Sequence, residues 1–130
     1  LEFALRFFQA IPYNTLENRD REGIAGFVSP YALIDQNEGD CDTKTTAIAS
    51  VLVEMWPDVD VIMLLIPEHA LLGISLPARA DDATIGWNNK TFVLLEPVGP
   101  GLFPVGRIGE RSEKAINNNE VESVIQISRT

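Results

Sequence analysis

The stretch Val59-Asp60-Val61-Ile62-Met63-Leu64-Leu65-Ile66-Pro67-Glu68-His69-Ala70-Leu71-Leu72-Gly73-Ile74-Ser75-Leu76 decides how this chain is read. Val59 to Ile66 is apolar and rich in β-branched residues, which predicts a buried strand. Pro67-Glu68 interrupts it, because proline cannot donate to a ladder. His69 to Leu76 then predicts a second strand. In an extended segment alternate side chains share a face. His69 therefore goes with Leu71, Gly73 and Ser75, while Ala70, Leu72, Ile74 and Leu76 take the other side.

Upstream of the first strand, Ala47, Ile48, Val51, Leu52 and Met55 recur at helical spacing and Pro57 stops them, which predicts a helix from Cys41 to about Trp56. Asp40 or Asp42 is placed to cap it. Leu1, Ala4, Leu5, Phe8 and Ile11 predict an amphipathic helix over residues 1–11, closed by Pro12. Residues 14–40 are polar and broken by Gly23, Gly26, Pro30 and Gly39, a long connection of the kind that often carries function. Downstream, residues 77–90 are turn-rich, with Asn88-Asn89 a tight turn. Thr91 to Glu96 predicts a third strand, and Pro97 to Pro104 a loop. Val105–Ile108 and Val121–Ile127 are candidate edge strands. Helices first and strands later is an α+β order, and 130 residues suit one domain over residues 1–130.

The net charge of −9, from 19 acids against 10 bases, disfavours sequence-independent nucleic-acid binding, which needs cations on phosphates. It also disfavours attraction to anionic membranes. The longest apolar run, Val61 to Pro67, is far too short to span a bilayer. The chain opens at Leu1 rather than Met, so we expect a trimmed portion of a longer protein. Its location is left open, an extracytoplasmic or membrane-tethered setting included.

The chemistry concentrates in three residues. Cys41 is the only cysteine and stands at the expected start of a helix, in Gly39-Asp40-Cys41-Asp42-Thr43-Lys44. A helix N-terminus favours a thiolate through its unpaired N–H groups and its dipole. Its own N–H is placed to donate to the oxyanion of an attacked carbonyl. Asp40 and Asp42 oppose the thiolate, so a cation must compensate. His69 is the only histidine, and Lys44 is one turn on. Glu96 ends the third strand on the face of Phe92 and Leu94. Nucleophile, base and orienting acid thus fall on three separate elements at nearly equal intervals, the arrangement that thiol-dependent acyl transfer requires. Each also has a plainer reading: a small buried hydrophobe for Cys41, a satisfied structural histidine for His69, and a strand end meeting water for Glu96. A structural zinc wants four Cys or His ligands and this chain has two, so no metal or other cofactor is expected.

Four segments resemble bacterial transglutaminase-like domains of the papain-like cysteine protease superfamily, over about residues 3–106. They are Phe7-Phe8-Gln9-Ala10-Ile11-Pro12-Tyr13, then Ser29-Pro30-Tyr31-Ala32-Leu33 with Gly39-Asp40-Cys41-Asp42, then Pro67-Glu68-His69-Ala70-Leu71-Leu72-Gly73-Ile74, and Leu95-Glu96-Pro97-Val98-Gly99. The resemblance implies a Cys-bearing helix packed on an antiparallel sheet, and a triad of Cys41, His69 and Glu96 acting through a thioester. It implies a protein or peptide substrate, attacked at a peptide or amide carbonyl; members include transglutaminases, peptidases, amidases and peptide N-glycanases. The chain departs from the pattern with Glu96 where aspartate is usual, and with Ala70 where an aromatic commonly follows the histidine. Gln36 and Gln9 are candidates for a second oxyanion donor. Hydrolysis is favoured over transamidation, since nothing marks an amine-acceptor site. Some members have lost activity, so the alternative is an inactive fold serving as a protein or peptide interaction module.

Overall fold

A computed structural model describes residues 1–11, 41–97 and 102–128. The expected connection 14–40, with Gln36 and Asp40 in it, and residues 98–101 of the expected 97–104 loop lie outside the described residues. Among those described, three helices and five strands form in the order α1 (Glu2–Ala10), α2 (Cys41–Met55), β1 (Val61–Ile66), β2 (His69–Ile74), β3 (Thr84–Trp87), β4 (Lys90–Leu95), α3 (Glu110–Asn117) and β5 (Ser123–Ile127). The class is α+β.

The five strands form one antiparallel, curled sheet in the order β3-β4-β2-β1-β5. β1 and β2 form a hairpin, with Val61 opposite Ile74 and Ile66 opposite His69. Its two-residue turn is Pro67-Glu68, and Glu68 adopts φ 57°. β3 and β4 are joined through Asn88-Asn89, whose φ values of 49° and 61° suit the primed turns that match strand twist. β4 then pairs with β2, Leu72 standing opposite Leu95.

Both faces of the sheet are covered. Val61, Met63, Ala70, Leu72, Ile74, Val93 and Leu95 pack against Leu5 and Phe8 of α1 and Ile48, Ala49 and Leu52 of α2. Ile62, Leu64, Ile66, Leu71, Phe92 and Leu94 pack against Ala115 of α3 and the chain around Ile85, Trp87 and Ile108. This two-sided burial explains why β1 and β2 read as continuous apolar runs rather than alternating ones.

The direction of α2 follows from its connection to β1. Val59 N–H donates to Trp56 O at 3.1 Å, and Ser75 N–H to Asp60 O at 3.0 Å, so the helix ends beside the Val61–Ile74 end of the hairpin. It packs on β1 and β2 and so runs back along them. Its 15 residues span about 22 Å, against about 20 Å for a six-residue strand. Its first turn therefore lies toward the opposite end of the sheet, where β2 starts and β4 finishes.

Three expectations are corrected. Val105–Ile108 is not a strand but a turn; Gly106, at φ 82°, donates to Leu94 O and accepts from Ala83 N–H. Residues 84–87 are a strand rather than part of a turn-rich stretch. Met55 is exposed, and the buried stripe of α2 instead extends back through Thr43, Lys44 and Thr45.

Gly73 sits in the central strand, and a methyl there would meet Ile62 Cγ1 at 2.8 Å and Phe92 Cβ at 3.0 Å. Neither neighbour is the loose end of a side chain, so the core must shift. Gly73→Ala is expected to destabilise the fold by about 1–3 kcal/mol, read as a lower urea midpoint at an unchanged slope.

Candidate active site

The site is built at the end of the sheet where β2 opens and β4 closes. Carrying the β2–β4 register one step past Leu72 and Leu95 sets Glu96 across from Leu71, diagonal to His69. Diagonal neighbours are about 7–8 Å apart at Cα, within reach of long side chains. Glutamate's extra methylene suits that span. Glu96 Oε1 meets Nε2 of His69 directly. Its other oxygen accepts the N–H of Gly109 at 2.9 Å, at the N-cap of α3, where the helix dipole also favours an anion. Glu96 is 4% exposed, so both oxygens of a buried acid are occupied.

With Glu96 at Nε2, the neutral imidazole carries its proton on that nitrogen and leaves Nδ1 as the acceptor. Nδ1 makes no hydrogen bond among the described residues. The ring is part-buried, with 16% of its side chain exposed. The turn before it is held by Arg111, whose Nη2 reaches Glu68 Oε2 at 2.9 Å and Pro67 O at 3.3 Å.

Cys41 is the first residue of α2; its side chain is outside the described set. Strand alternation gives His69 and Glu96 the face of Leu71 and Leu94, whereas α2 covers the other face. The helix thus does not lie across the pair, as a simple stacking would have it. Its first turn lies toward that end of the sheet, where a chain of contacts links Lys44 to the main chain of Glu96. Lys44 Nζ, in the first turn of α2, donates to Gln9 O at 3.5 Å. The amide nitrogen of Gln9 donates to Glu96 O and to Phe103 O, both at 2.8 Å.

Gln9 was not legible as a clamp. It sits on the buried side of α1, 4% exposed, and both amide hydrogens are engaged by carbonyls. That leaves Gln9 none to offer an oxyanion. Its Oε1, like Thr45 Oγ1, is buried without a partner among the described residues. Gly109 and the α3 N-terminus were equally unread, since no apolar stripe announces that helix. Among the described residues, no three His, Cys, Asp or Glu side chains gather so as to hold a metal ion, and no helix is long and apolar enough to cross a membrane.

No family model matches the chain, and neither does any curated protein or solved structure.

Lys44 is fully buried, and burial lowers its pKa from 10.5 to about 8. Below pH 8 both the folded and the unfolded states hold this proton, and the fold carries the whole cost of the buried charge. Between about 8 and 10.5 the folded state sheds the proton first, so this cost disappears as pH rises. Urea midpoints measured from pH 7 to 10.5 should rise in the wild type relative to Lys44→Met, the difference growing through that window.

Proposed function

We propose that the chain is a transglutaminase-like, papain-like cysteine enzyme that transfers or hydrolyses acyl groups of peptides or amides through a thioester. The observation that carries the reading is the His69–Glu96 pair, its acid buried, at the end of the sheet toward which the first turn of the Cys41 helix lies.

In this reading Nδ1 of His69 takes the thiol proton of Cys41. The sulfur attacks the carbonyl carbon, and the oxyanion is held by N–H groups at the start of α2, Cys41 N–H among them. The C–N bond breaks, and the imidazolium protonates the leaving amine. Water then attacks the thioester with His69 as base, releasing a carboxylic acid and restoring the thiol. An amine in place of water would give transamidation. Glu96 keeps the proton of His69 on Nε2 and stabilises the imidazolium; Gly109 and Gln9 hold Glu96 in place.

A second reading, a non-catalytic interaction module on the same fold, draws on the exposed Phe3, Phe7 and Met55. They line an open groove of about 390 Å³ between α1 and α2.

Iodoacetamide labelling of Cys41 against pH separates the two. In the enzyme reading, the midpoint lies well below the ~8.5 of a free thiol, and His69→Ala raises it toward or above that value. Glu96→Gln keeps the fold and slows any turnover. Superimposable profiles for wild type and His69→Ala would leave the interaction module as the better account.

A further inference from the structure

We infer that Arg111 is a positioning residue of the site: together with Gly109 it makes the first turn of α3 a bracket that holds both halves of the His69–Glu96 pair in line. The inference rests on the acyl-transfer reading above for its catalytic meaning and adds a residue to it.

The end of β2 that carries His69 is weakly held by its own sheet. The β2–β4 ladder covers Leu72 to Ile74, so among the described residues His69, Ala70 and Leu71 pair along β1 alone. The turn that closes β1 onto β2 does not compensate. A two-residue hairpin matches strand twist when its turn is primed, and both primed types need a positive φ at the first central residue. That residue is Pro67, whose ring fixes φ near −65°. Only Glu68 is positive, at φ 57°, a conformation that penalises a side chain with a Cβ. A turn of the other hand splays its strands, and His69 is the first residue beyond it.

What opposes the splay comes from α3. Arg111 Nη2 donates to Pro67 O at 3.3 Å and to Glu68 Oε2 at 2.9 Å, so it grips both central residues of the turn. Two residues earlier, Gly109 N–H donates to Glu96 Oε2 at 2.9 Å. One short stretch of chain thus touches the residue before the base and the acid itself. The Arg111–Glu68 pair is largely exposed, at 66% and 86% of the side chains, and such pairs add little to the stability of a fold. Holding a ring within hydrogen-bond range of a carboxylate is a finer demand than folding, and a small bias on a loosely laddered strand end meets it.

His69 is the only histidine, so the signals of a nitrogen-labelled imidazole are unambiguous. NMR reads which ring nitrogen holds the proton and how fast that proton exchanges with water. The measurement is made at about pH 8, where an ordinary imidazole is neutral, in the wild type, Arg111→Ala, Arg111→Lys and Lys114→Ala, with folding checked by thermal denaturation. Lys114→Ala is the control, since it breaks the Lys114–Glu110 pair of the same helix and leaves the turn's contacts intact. Wild type should hold the proton on Nε2. Arg111→Ala should exchange it roughly two- to fivefold faster, the factor an exposed ion pair supplies, with Arg111→Lys in between and Lys114→Ala like wild type. Arg111→Ala exchanging like wild type overturns the inference. So does an equal acceleration in Lys114→Ala, which would make Arg111 an ordinary support of α3. Iodoacetamide labelling of wild type and His69→Ala keeps the two readings apart. If it supports the enzyme while Arg111→Ala leaves the ring unchanged, only the bracket fails. If Arg111→Ala loosens the ring while the labelling profiles superimpose, Arg111 positions a pair that serves no thiol, and the acyl-transfer reading alone fails.

Discussion

Everything at the end of the sheet where β2 opens and β4 closes depends on satisfying Glu96. A buried carboxylate is tolerable only when its oxygens are bonded. Here one oxygen is taken by His69 and the other by the N–H that opens α3, while the main-chain carbonyl of the same residue receives the Gln9 amide. One residue thereby ties β4, the start of β2, the cap of α3 and the buried side of α1. Remove the carboxylate, and the start of β2 and the cap of α3 lose the partner they share.

Much of this architecture was legible because it rests on local rules. Continuous apolar runs gave β1 and β2, proline placed the break between them, and the paired asparagines fixed a turn whose positive φ values few residues accept. Helix α2 was readable from its stripe and its stop. His69 and Glu96 were singled out from their spacing on separate elements, while the register that sets them on one face comes from the β2–β4 pairing. What escaped lacks a local signature. Glu110–Asn117 buries only Ser112 and Ala115, so no periodicity marks it as a helix. Thr84–Trp87 is an edge strand of four residues with Gly86 inside, short enough to pass for turn. Gln9 entered as a candidate oxyanion donor and Lys44 as a cation one turn from Cys41, and neither burial has a local sign. Their burial is decided by what arrives from the far end of the chain, which no window of sequence contains.

The plain reading of Glu96 as a strand end meeting water fails on accessibility, and Lys44 is buried as well. Both residues are ionisable, buried, and joined through Gln9 at one end of the sheet. Such groups are costly to a fold, and they cluster where chemistry needs them. This is why the enzyme reading is preferred to the interaction module, whose best support is an apolar groove on the outer side of α1 and α2.

The clamp made by Gln9 has a consequence for the order in which the chain folds. The β1–β2 hairpin closes a two-residue turn, whereas Gln9 must find Glu96 across 87 residues and Phe103 across 94. Loop-closure entropy places such long-range contacts late, after the local hairpins have formed. A chain with its sheet assembled but α1 undocked would have His69 and Glu96 on adjacent strands, with the Glu96 carbonyl unclamped and Lys44 open to water. The first nine residues thus act as a final fastening, and in refolding the completion of the site would lag behind the appearance of the sheet. In that order, the end of the sheet that holds the His69–Glu96 pair is finished only once the rest is in place.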